Sequence, residues 1–467
     1  MYKTIADIKQ ALGAGQTVSS IVESSISNIK EKSSLNAFVE IFEDSARSSA
    51  VKVDEKIKKG SAGKLAGVIL GIKDNICYKG HKVSASSKIL NNFESLYTST
   101  VLQRLIDEDA IVIGRLNCDE FAMGSSNENS FYGNVNNNFN ESYVPGGSSG
   151  GSAVAVSAGL CTVALGSDTG GSVRQPASWT NTYGLKPTYG CFSRYGLIAY
   201  ASSFDQIGVF TNSIEDSELI FDLSKGEDPM DSTSISKEWT NPKQENTKLR
   251  VGYVKEYMNH EGIDNEIKTK LNDLKTNLES NDIELIECDF PYLDYLVPTY
   301  YVLTTAEASS NLSRFDGVHY GHRSTVAEGV EDTYKKSRTE GFGKEVKRRI
   351  MTGTFVLSHG YYDAYYTKAQ KVRRLVKSST DDFFNHVDVM IFPTTASTAF
   401  QQGSVKDPIQ MYLQDIFTVH ANLSGNPAIS IPFGIHSNGM PFGLQLMTDR
   451  FNESKLFSYS RILRKYI

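Results

Sequence analysis

The sequence predicts an α/β fold built on one large mixed or parallel β-sheet. Short apolar strands alternate with helical segments along the chain, and this alternation is typical of such sheets. The 467 residues exceed one average domain, but a single sheet wrapped in helices can accommodate them. The chain contains no internal repeat, so residues 1–467 are predicted to form one domain. A composition of 40% hydrophobic and 22% charged residues excludes a disordered or fibrous protein.

The charge balance limits the possible partners of the chain. Its 48 basic and 54 acidic residues give a net charge of −6, which is not the basic footprint of an autonomous nucleic-acid binder. A role with nucleic acid would therefore be shared with a partner. The five cysteines form no C-x-x-C pair, which favours a reducing compartment. The sequence has neither a secretory start nor a membrane span of roughly 18 apolar residues, so we expect a cytoplasmic protein without membrane contact.

The first part of the chain is predicted to be helical. Apolar residues recur at steps of three and four in 4–8 and 18–29, and residues 1–60 are expected to pack as a helical segment on the sheet. A helix is predicted at 100–107, and the polar stretch 234–248 is predicted to be an exposed loop.

Apolar runs predict the strands that follow. The strand at 66–72 is followed directly by Lys73, and further strands are predicted at 110–114, 162–166 and 249–254. A lysine at a strand end usually reaches solvent at the rim of the sheet. A buried lysine, however, has a lowered pKa and can act as a base.

Two turns rich in glycine and serine carry the candidate chemistry. The first lies within 134–152 and precedes a helix of small residues at 153–158; it could hold phosphate, but no lysine follows Gly151 as a P-loop requires. The second, at 169–172, follows a strand. Its two glycines can turn successive N–H groups toward one point, so the turn could supply a nucleophilic serine and an oxyanion hole. The alternative is a tight turn that only caps the next helix.

Three stretches together resemble the amidase signature family. They are GIKDN at 71–75, GGSSGGSA at 146–153 and GSDTGGSVRQPA at 166–177. The resemblance implies the amidase signature fold, a large mixed β-sheet core covered by helices on both faces.

The resemblance also implies the catalytic roles. Ser172 would be the nucleophile that forms the acyl-enzyme, Ser148 the proton relay and Lys73 the base. Ser148 would precede Ser149 through a cis peptide bond. The oxyanion hole would be formed by Thr169, Gly170, Gly171 and Ser172. Elementary chemistry agrees, since a serine hydroxyl can pass a proton in both directions and a neutral lysine can accept it.

Further stretches resemble the glutamine-hydrolysing subunits of tRNA-dependent amidotransferases within this family. They are EFAMGSSNENS at 120–130, SRYGLIAYASSFDQIG at 193–208, EASSNLSRFDG at 307–317, and EVKRRI at 345–350 continuing to GYYDAYY at 360–366. Local departures from the family pattern occur at Trp179, Asn181 and Cys191, and the first two could alter the shape of the pocket.

A glutamine pocket needs a cation for the α-carboxylate and an anion for the α-ammonium group. The resemblance implies Arg349 and Asp415 for these two tasks, with Tyr300, Tyr301 and Met123 lining the pocket. Arg349 could equally belong to a solvated helix face. The remaining polar candidates are interpreted structurally: Asp168 and Arg174 as an ion pair that fixes the loop, and His319 and His322 as surface or core residues and not a metal site.

The resulting hypothesis is a glutaminase subunit that needs no cofactor or metal of its own. A companion kinase and amidating protein, the B subunit of the assembly, would use ATP and Mg²⁺ to convert Glu-tRNA(Gln) to Gln-tRNA(Gln). A small third protein, the C subunit, would brace the two, and the tRNA would be bound mainly through the partner. The alternatives are a stand-alone amidase acting on a small amide and a non-catalytic scaffold of the tRNA complex.

Overall fold

One β-sheet runs through the computed structural model, which describes residues 2–236, 248–281 and 283–467. Within these residues the strands are β1 (Phe38–Ile41), β2 (Ile69–Lys73), β3 (Ile111–Leu116), β4 (Val163–Asp168), β5 (Tyr183–Lys186), β6 (Gln206–Thr211), β7 (Arg250–Val254), β8 (Glu284–Cys288), β9 (Val389–Pro393), β10 (Ala428–Ile435) and β11 (Pro441–Met447).

The strand order across the sheet is β1-β3-β2-β4-β6-β5-β10-β11-β9-β7-β8. The neighbours β3, β2 and β4 run parallel, and so do β9, β7 and β8. The remaining neighbours are antiparallel. The predicted mixed sheet is therefore confirmed. Most of the polar stretch predicted as a loop at 234–248 lies outside the described residues.

The helices of the described residues are α1 (Ile5–Gly13), α2 (Val18–Glu31), α3 (Glu43–Lys59), α4 (Thr100–Asp107), α5 (Gly150–Ser157), α6 (Arg174–Trp179), α7 (Ile214–Ser224), α8 (Lys255–Asn259), α9 (Asn265–Ser280), α10 (Leu293–Asn311), α11 (Gly329–Gly341), α12 (Lys344–Val356), α13 (Lys368–His386), α14 (Pro408–Tyr412), α15 (Val419–Ser424) and α16 (Glu453–Leu463). None of them is both long and apolar enough to cross a membrane.

Both faces of the sheet are covered. Successive side chains of a strand point to opposite faces. Every residue of β2, β3, β4, β6, β9 and β11 is buried, so neither face of these strands meets solvent. This burial agrees with the predicted core between layers of helices.

The prediction of helices throughout the first sixty residues is wrong for one short segment. Helices α1 and α2 form where the apolar periodicity indicates, and Ile8 and Val22 on them are fully buried in the main core. Residues 38–41 instead form β1, which pairs antiparallel with β3 at the edge of the sheet. Four residues are too few to show a period in sequence, and the exposed edge of β3 supplies the pairing that makes this segment a strand.

A layer of helices beyond the sheet carries three of the five predicted pocket residues. Helix α10 holds Tyr300 and Tyr301, and it packs closely against α12, which holds Arg349. The contact depends on Gly353, where a Cβ atom would lie 1.8 Å from the carbonyl oxygen of Thr305. This close approach fixes the two helices beside each other.

Candidate active site

Lys73 is the last residue of β2 and lies wholly in the interior. Its Nζ contacts three serine hydroxyls, at 2.7 Å to Ser148, 2.9 Å to Ser149 and 2.9 Å to Ser167. The sequence therefore located the strand end correctly, and the structure buries the lysine there instead of leaving it at the rim.

Burial has the largest influence on the pKa of the Lys73 amine. Removing the ammonium group from water disfavours its charged form, and the carboxylates of Asp119 and Asp168 offset only part of that effect. The pKa of Lys73 is lowered to about 8. The neutral fraction of the amine near neutral pH is consequently much larger than for a solvated lysine, and the neutral form can accept a proton.

The surrounding hydroxyls are arranged to suit a neutral amine. Ser149 Oγ donates to the carbonyl oxygen of Ser167 at 3.1 Å, so its own oxygen is free to accept from Lys73. Ser167 Oγ accepts from both Lys73 and Asn75 Nδ2, the latter at 2.9 Å. With two N–H groups directed to these acceptors, a neutral lysine presents its lone pair to Ser148.

The turn that carries Ser148 is held from both sides. The N–H of Gly147 donates to Gln175 Oε1 at 2.9 Å, and the carbonyl oxygen of Ser148 accepts from the N–H of Asp119 at 3.1 Å. The cis peptide bond is the one between Gly147 and Ser148. The predicted position after Ser148 is therefore wrong. The two hydrogen bonds hold the peptide groups on either side of the bond that is actually cis.

Ser172 lies in the second turn, beside the first. Its carbonyl oxygen accepts from the N–H of Ser149 at 3.2 Å, which ties the two turns together. Lys73 and Ser148 are completely buried, whereas Ser172 keeps an exposed fraction of 8%. Of the three predicted catalytic residues, Ser172 is the one that a substrate can reach.

The N–H groups of the second turn differ in availability. The N–H of Gly171 donates to Asp168 Oδ1 at 2.9 Å, so it is already occupied, unlike the free donor that the sequence predicts. Among the described residues, the N–H groups of Gly170 and Ser172 have no protein acceptor. Thr169 contributes to the turn through its side chain, which donates to Asp205 Oδ1 at 2.6 Å.

Asp168 and Arg174 form the ion pair that the sequence predicts. Arg174 Nη2 lies 2.9 Å from Asp168 Oδ1, and both side chains are fully buried. Burial alone raises the pKa of Asp168, but the charge and hydrogen bonds of Arg174 outweigh it and lower the pKa to about 2. The same carboxylate accepts from the N–H groups of Gly171 and Val173, so the pair fixes the shape of the second turn.

Asp415 is buried at the end of a short 3-10 turn. Ser125 Oγ donates to its carboxylate at 3.0 Å, and the Tyr301 hydroxyl donates to Oδ2 at 2.9 Å. Burial raises the pKa of Asp415 to about 7, although both hydrogen bonds oppose that rise. A cation placed beside this carboxylate would stabilise its ionised form.

Arg349 is buried on the inner face of α12, which rules out the solvated helix face. Its Nε donates to Glu345 Oε1 at 2.9 Å, and its Nη1 donates to the Tyr200 hydroxyl at 2.9 Å. The rings of Tyr200, Tyr301 and Tyr412 surround the guanidinium at 5.2 to 5.6 Å. Among the described residues its Nη2 has no hydrogen-bond partner, and this group remains to bind an anion.

Tyr300 and Met123, the two remaining residues predicted for the pocket, are both buried. A Cβ atom on Gly170 would be 2.5 Å from the Tyr300 hydroxyl oxygen, so this tyrosine closes one side of the second turn. Met123 is fully buried two residues before Ser125, which contacts Asp415. Four of the five residues predicted for the pocket, namely Arg349, Asp415, Tyr300 and Tyr301, are thus linked to one another or to the turn of Ser172.

The three residues that depart from the family pattern lie in different surroundings. Trp179 ends α6 and is fully buried; its indole N–H donates to the carbonyl oxygen of Ser397 at 2.9 Å, within a small cluster apart from the main core. Asn181 is exposed in a left-handed turn conformation, with a φ of 57°. Cys191 is buried, with Sγ 3.3 Å from Glu453 Oε1. The cluster around Trp179 contains none of the predicted pocket residues.

Several residues of the site were not identified from the sequence. They are Ser149, Ser167 and Asn75 around Lys73, Ser125 beside Asp415, Glu345 beside Arg349, and Thr418 against the second turn. The first three lie in the motifs that carry the family resemblance, so the sequence contained a signal for them. Ser125 and Glu345 lie in the further resembling stretches 120–130 and 345–350, so a signal existed for them as well. Only Thr418, among the residues named here, lies outside every such stretch.

The predicted histidine pair has ordinary polar partners. His319 Nδ1 lies 3.1 Å from Asp316, and His322 Nε2 lies 2.7 Å from Glu340.

A lysine buried against serine hydroxyls, beside a glycine-rich turn with an accessible serine, is typical of a class of hydrolases. These enzymes form an ester on serine and use lysine as the base where others use histidine.

Comparison with known proteins agrees with this class. The family model described as Amidase matches residues 20–457. The chain is 46% identical to the A subunit of the glutamyl-tRNA(Gln) amidotransferase of Chlorobium phaeobacteroides, over 100% of this chain and 99% of the relative. It is 48% identical to the protein of that name from Neisseria meningitidis serogroup A, over 92% and 90% of the two chains.

Solved structures share the fold. The crystal structure of the glutamyl-tRNA(Gln) amidotransferase A subunit from Thermotoga maritima is 36% identical, with a TM-score of 0.77 over 95% of this chain and 92% of that chain. A bacterial aryl acylamidase of the amidase signature enzymes reaches a TM-score of 0.86 at 23% identity, over 100% and 96%, which shows the likeness of fold alone. The chain belongs to the amidase signature family.

Proposed function

We propose that this chain is the glutamine-hydrolysing subunit of a tRNA-dependent amidotransferase, with Lys73, Ser148 and Ser172 as its catalytic residues. The observation that carries the proposal is the contact between Lys73 Nζ and Ser148 Oγ at 2.7 Å in a fully buried site. The names of the relatives from Chlorobium phaeobacteroides and Neisseria meningitidis support the amidotransferase assignment.

Acylation begins with transfer of a proton. Ser172 Oγ attacks the side-chain amide carbon of glutamine while its proton passes to Ser148, and the Ser148 proton passes to neutral Lys73. The negative charge that develops on the amide oxygen is stabilised by the N–H groups of Gly170 and Ser172. The C–N bond then breaks, and the proton returns through Ser148 to the leaving group, which departs as ammonia.

Deacylation repeats the sequence with water. Water gives a proton through Ser148 to Lys73 and attacks the glutamyl ester; the C–O bond to Ser172 breaks, and the proton returns to the serine oxygen. These steps need no metal or cofactor in this chain. The ammonia would be used by the companion B subunit, with ATP and Mg²⁺, to convert Glu-tRNA(Gln) to Gln-tRNA(Gln), while the small C subunit braces the assembly.

The pocket supports an amino acid as the substrate over a simple amide. Arg349 and Asp415 are opposite charges, each held by its own hydrogen bonds, as the α-carboxylate and α-ammonium of glutamine require. A simple amide has no groups that would use the remaining Nη2 of Arg349 or the Asp415 carboxylate, whereas glutamine has one for each. A stand-alone amidase is therefore the less supported candidate.

The proposal is tested in the reconstituted complex of this chain with the B and C subunits. Ser172→Ala should block amidation of Glu-tRNA(Gln) with glutamine but leave amidation with ammonium chloride intact, because free ammonia bypasses the glutaminase site. Ser152→Ala is the matched control, since this buried serine donates to the carbonyl oxygen of Leu165 at 3.0 Å and does not contact Lys73. Failure of the Ser172→Ala complex to use ammonium would contradict the proposal.

The partner should also activate the chain. The second turn would be aligned for catalysis only when the partner has bound the acceptor, Glu-tRNA(Gln). Such an arrangement couples the glutaminase site to the amidation site, and coupling of this kind typically changes a rate or affinity by about 5–150-fold. We expect the isolated chain to hydrolyse glutamine slowly and the complex with ATP and Glu-tRNA(Gln) to reach a rate higher by that factor. Full glutaminase activity of the chain alone would favour a stand-alone amidase.

A further inference from the structure

The two charged groups proposed to hold glutamine belong to different elements. Arg349 lies on α12, whereas Asp415 ends the segment 408–415 that begins with α14. The hydrogen bonds of the Asp415 carboxylate come from Ser125 and Tyr301, so none of those described reaches α12 directly. A ligand that uses both charges needs the distance between these elements to be fixed.

Tyr412 connects the two elements. It lies three residues before Asp415, and its hydroxyl donates to Glu345 Oε1 at 3.0 Å. The same oxygen accepts from Arg349 Nε at 2.9 Å, so Tyr412 and Arg349 share one acceptor on α12.

The Tyr412 ring makes a second connection. It stacks on the ring of Tyr301, with centroids 4.0 Å apart and an angle of 27° between the planes. The Tyr301 hydroxyl in turn donates to Asp415 Oδ2. The path from Asp415 through Tyr301, Tyr412 and Glu345 to Arg349 therefore consists of hydrogen bonds and one ring stack.

We propose that Tyr412 is a positioning residue that sets the spacing between the carboxylate-binding and ammonium-binding charges, and thereby selects an α-amino acid amide. This inference rests on the proposed function. Tyr412 need not touch the reacting atoms. It acts on Arg349 through Glu345 and through its own ring, 5.5 Å from the guanidinium, and it acts on Asp415 through Tyr301. It should therefore affect ligands held by both charges more than ligands held by one.

The test measures glutamine binding by calorimetry in a Ser172→Ala chain, which cannot turn the ligand over. Adding Tyr412→Phe keeps the ring stack but removes the bond to Glu345, and a lost hydrogen bond of this kind weakens affinity by about 3–10-fold. Tyr412→Leu removes the stack as well, and we expect a loss of about 10–100-fold. Tyr362→Phe makes the same chemical change at an exposed tyrosine and should leave the affinity unchanged.

A double-mutant comparison separates positioning from general support of the fold. In an Asp415→Asn background one of the two charges is already lost, so Tyr412→Phe should cost less than about twofold in affinity there. In an otherwise active chain, Tyr412→Phe should raise KM for glutamine with little change in kcat. Thermal unfolding of the Tyr412→Phe chain provides the check that it is folded.

Two results would overturn the inference. One is an unchanged affinity in Tyr412→Phe, and the other is a loss that is just as large in the Asp415→Asn background. If the parent Ser172→Ala chain binds no glutamine at all, the proposed function fails first, and this inference fails with it.

Discussion

The side chain of Thr418 occupies the space that a Cβ atom on Gly171 would need. A Cβ atom there would lie 2.1 Å from Thr418 Oγ1, and the φ of Gly171 is 128°, in the region that favours glycine. Thr418 Oγ1 also donates to the carbonyl oxygen of Gly170 at 2.7 Å. The turn before Ser172 is therefore shaped by a residue almost 250 positions away in the sequence.

Gly171→Ala should displace this turn and with it the N–H groups proposed for the oxyanion. A misplacement of about 1 Å can cost about 10²-fold in rate, and we expect kcat for glutamine hydrolysis to fall by at least that factor. Gly15→Ala is the control, because Gly15 has a φ of 92° but no atom within 4 Å of an added Cβ. A Gly171→Ala enzyme with normal kcat would contradict the assigned role of this turn.

Ser148→Ala should remove the proton path between Ser172 and Lys73. Positioned proton transfer contributes about 10²–10⁴-fold, and members of a triad act as a unit, so we expect kcat to fall by about 10³-fold or more. Lys73→Ala and Ser172→Ala should lower kcat at least as much. Steady-state glutaminase assays beside Ser152→Ala provide the comparison, and retention of most activity in Ser172→Ala would exclude the mechanism.

The pH dependence should report two ionisations. Below about pH 8 Lys73 becomes protonated and cannot accept a proton, and below about pH 7 Asp415 becomes neutral and loses its attraction for ammonium. kcat/KM for glutamine should therefore rise with pH through both values. In Asp415→Asn the lower ionisation should disappear while the upper one remains, and KM should rise more than kcat falls. A profile that is flat between pH 6 and 9, an interval of about three units around these values, would contradict this assignment.

Arg174→Met should destabilise the protein because it leaves the Asp168 carboxylate buried without its cation. Removing one partner of a buried ion pair typically costs about 3–5 kcal/mol. Arg250→Met is the matched control: its pair with Asp388 is as short, at 2.8 Å, but partly exposed, so its loss should cost only about 0–1 kcal/mol. Urea unfolding of the two variants measures the difference, and equal losses would show that burial does not strengthen the Arg174 pair.

The sequence alone predicted those parts of the site and fold that depend only on residues close together in the chain. The strand ending at Lys73, the helix at 100–107 and the two glycine-rich turns are all visible in windows of fewer than twenty residues, and the structure has them at or within a few residues of those positions. Hydrophobic periodicity and motif spacing are local properties, so they can be recognised in the sequence without knowledge of the fold.

The tertiary structure alone decided which distant residues meet. Ser125 and Asp415 are 290 residues apart, yet they share a hydrogen bond. Arg349 stands in a charged run that fits a solvated helix face equally well, and only the packing of α12 against α10 buries it. Residues 38–41 became a strand because β3 offered an unpaired edge. These outcomes depend on the free energy of packing elements that are remote in the chain, and no local pattern in the sequence encodes that energy.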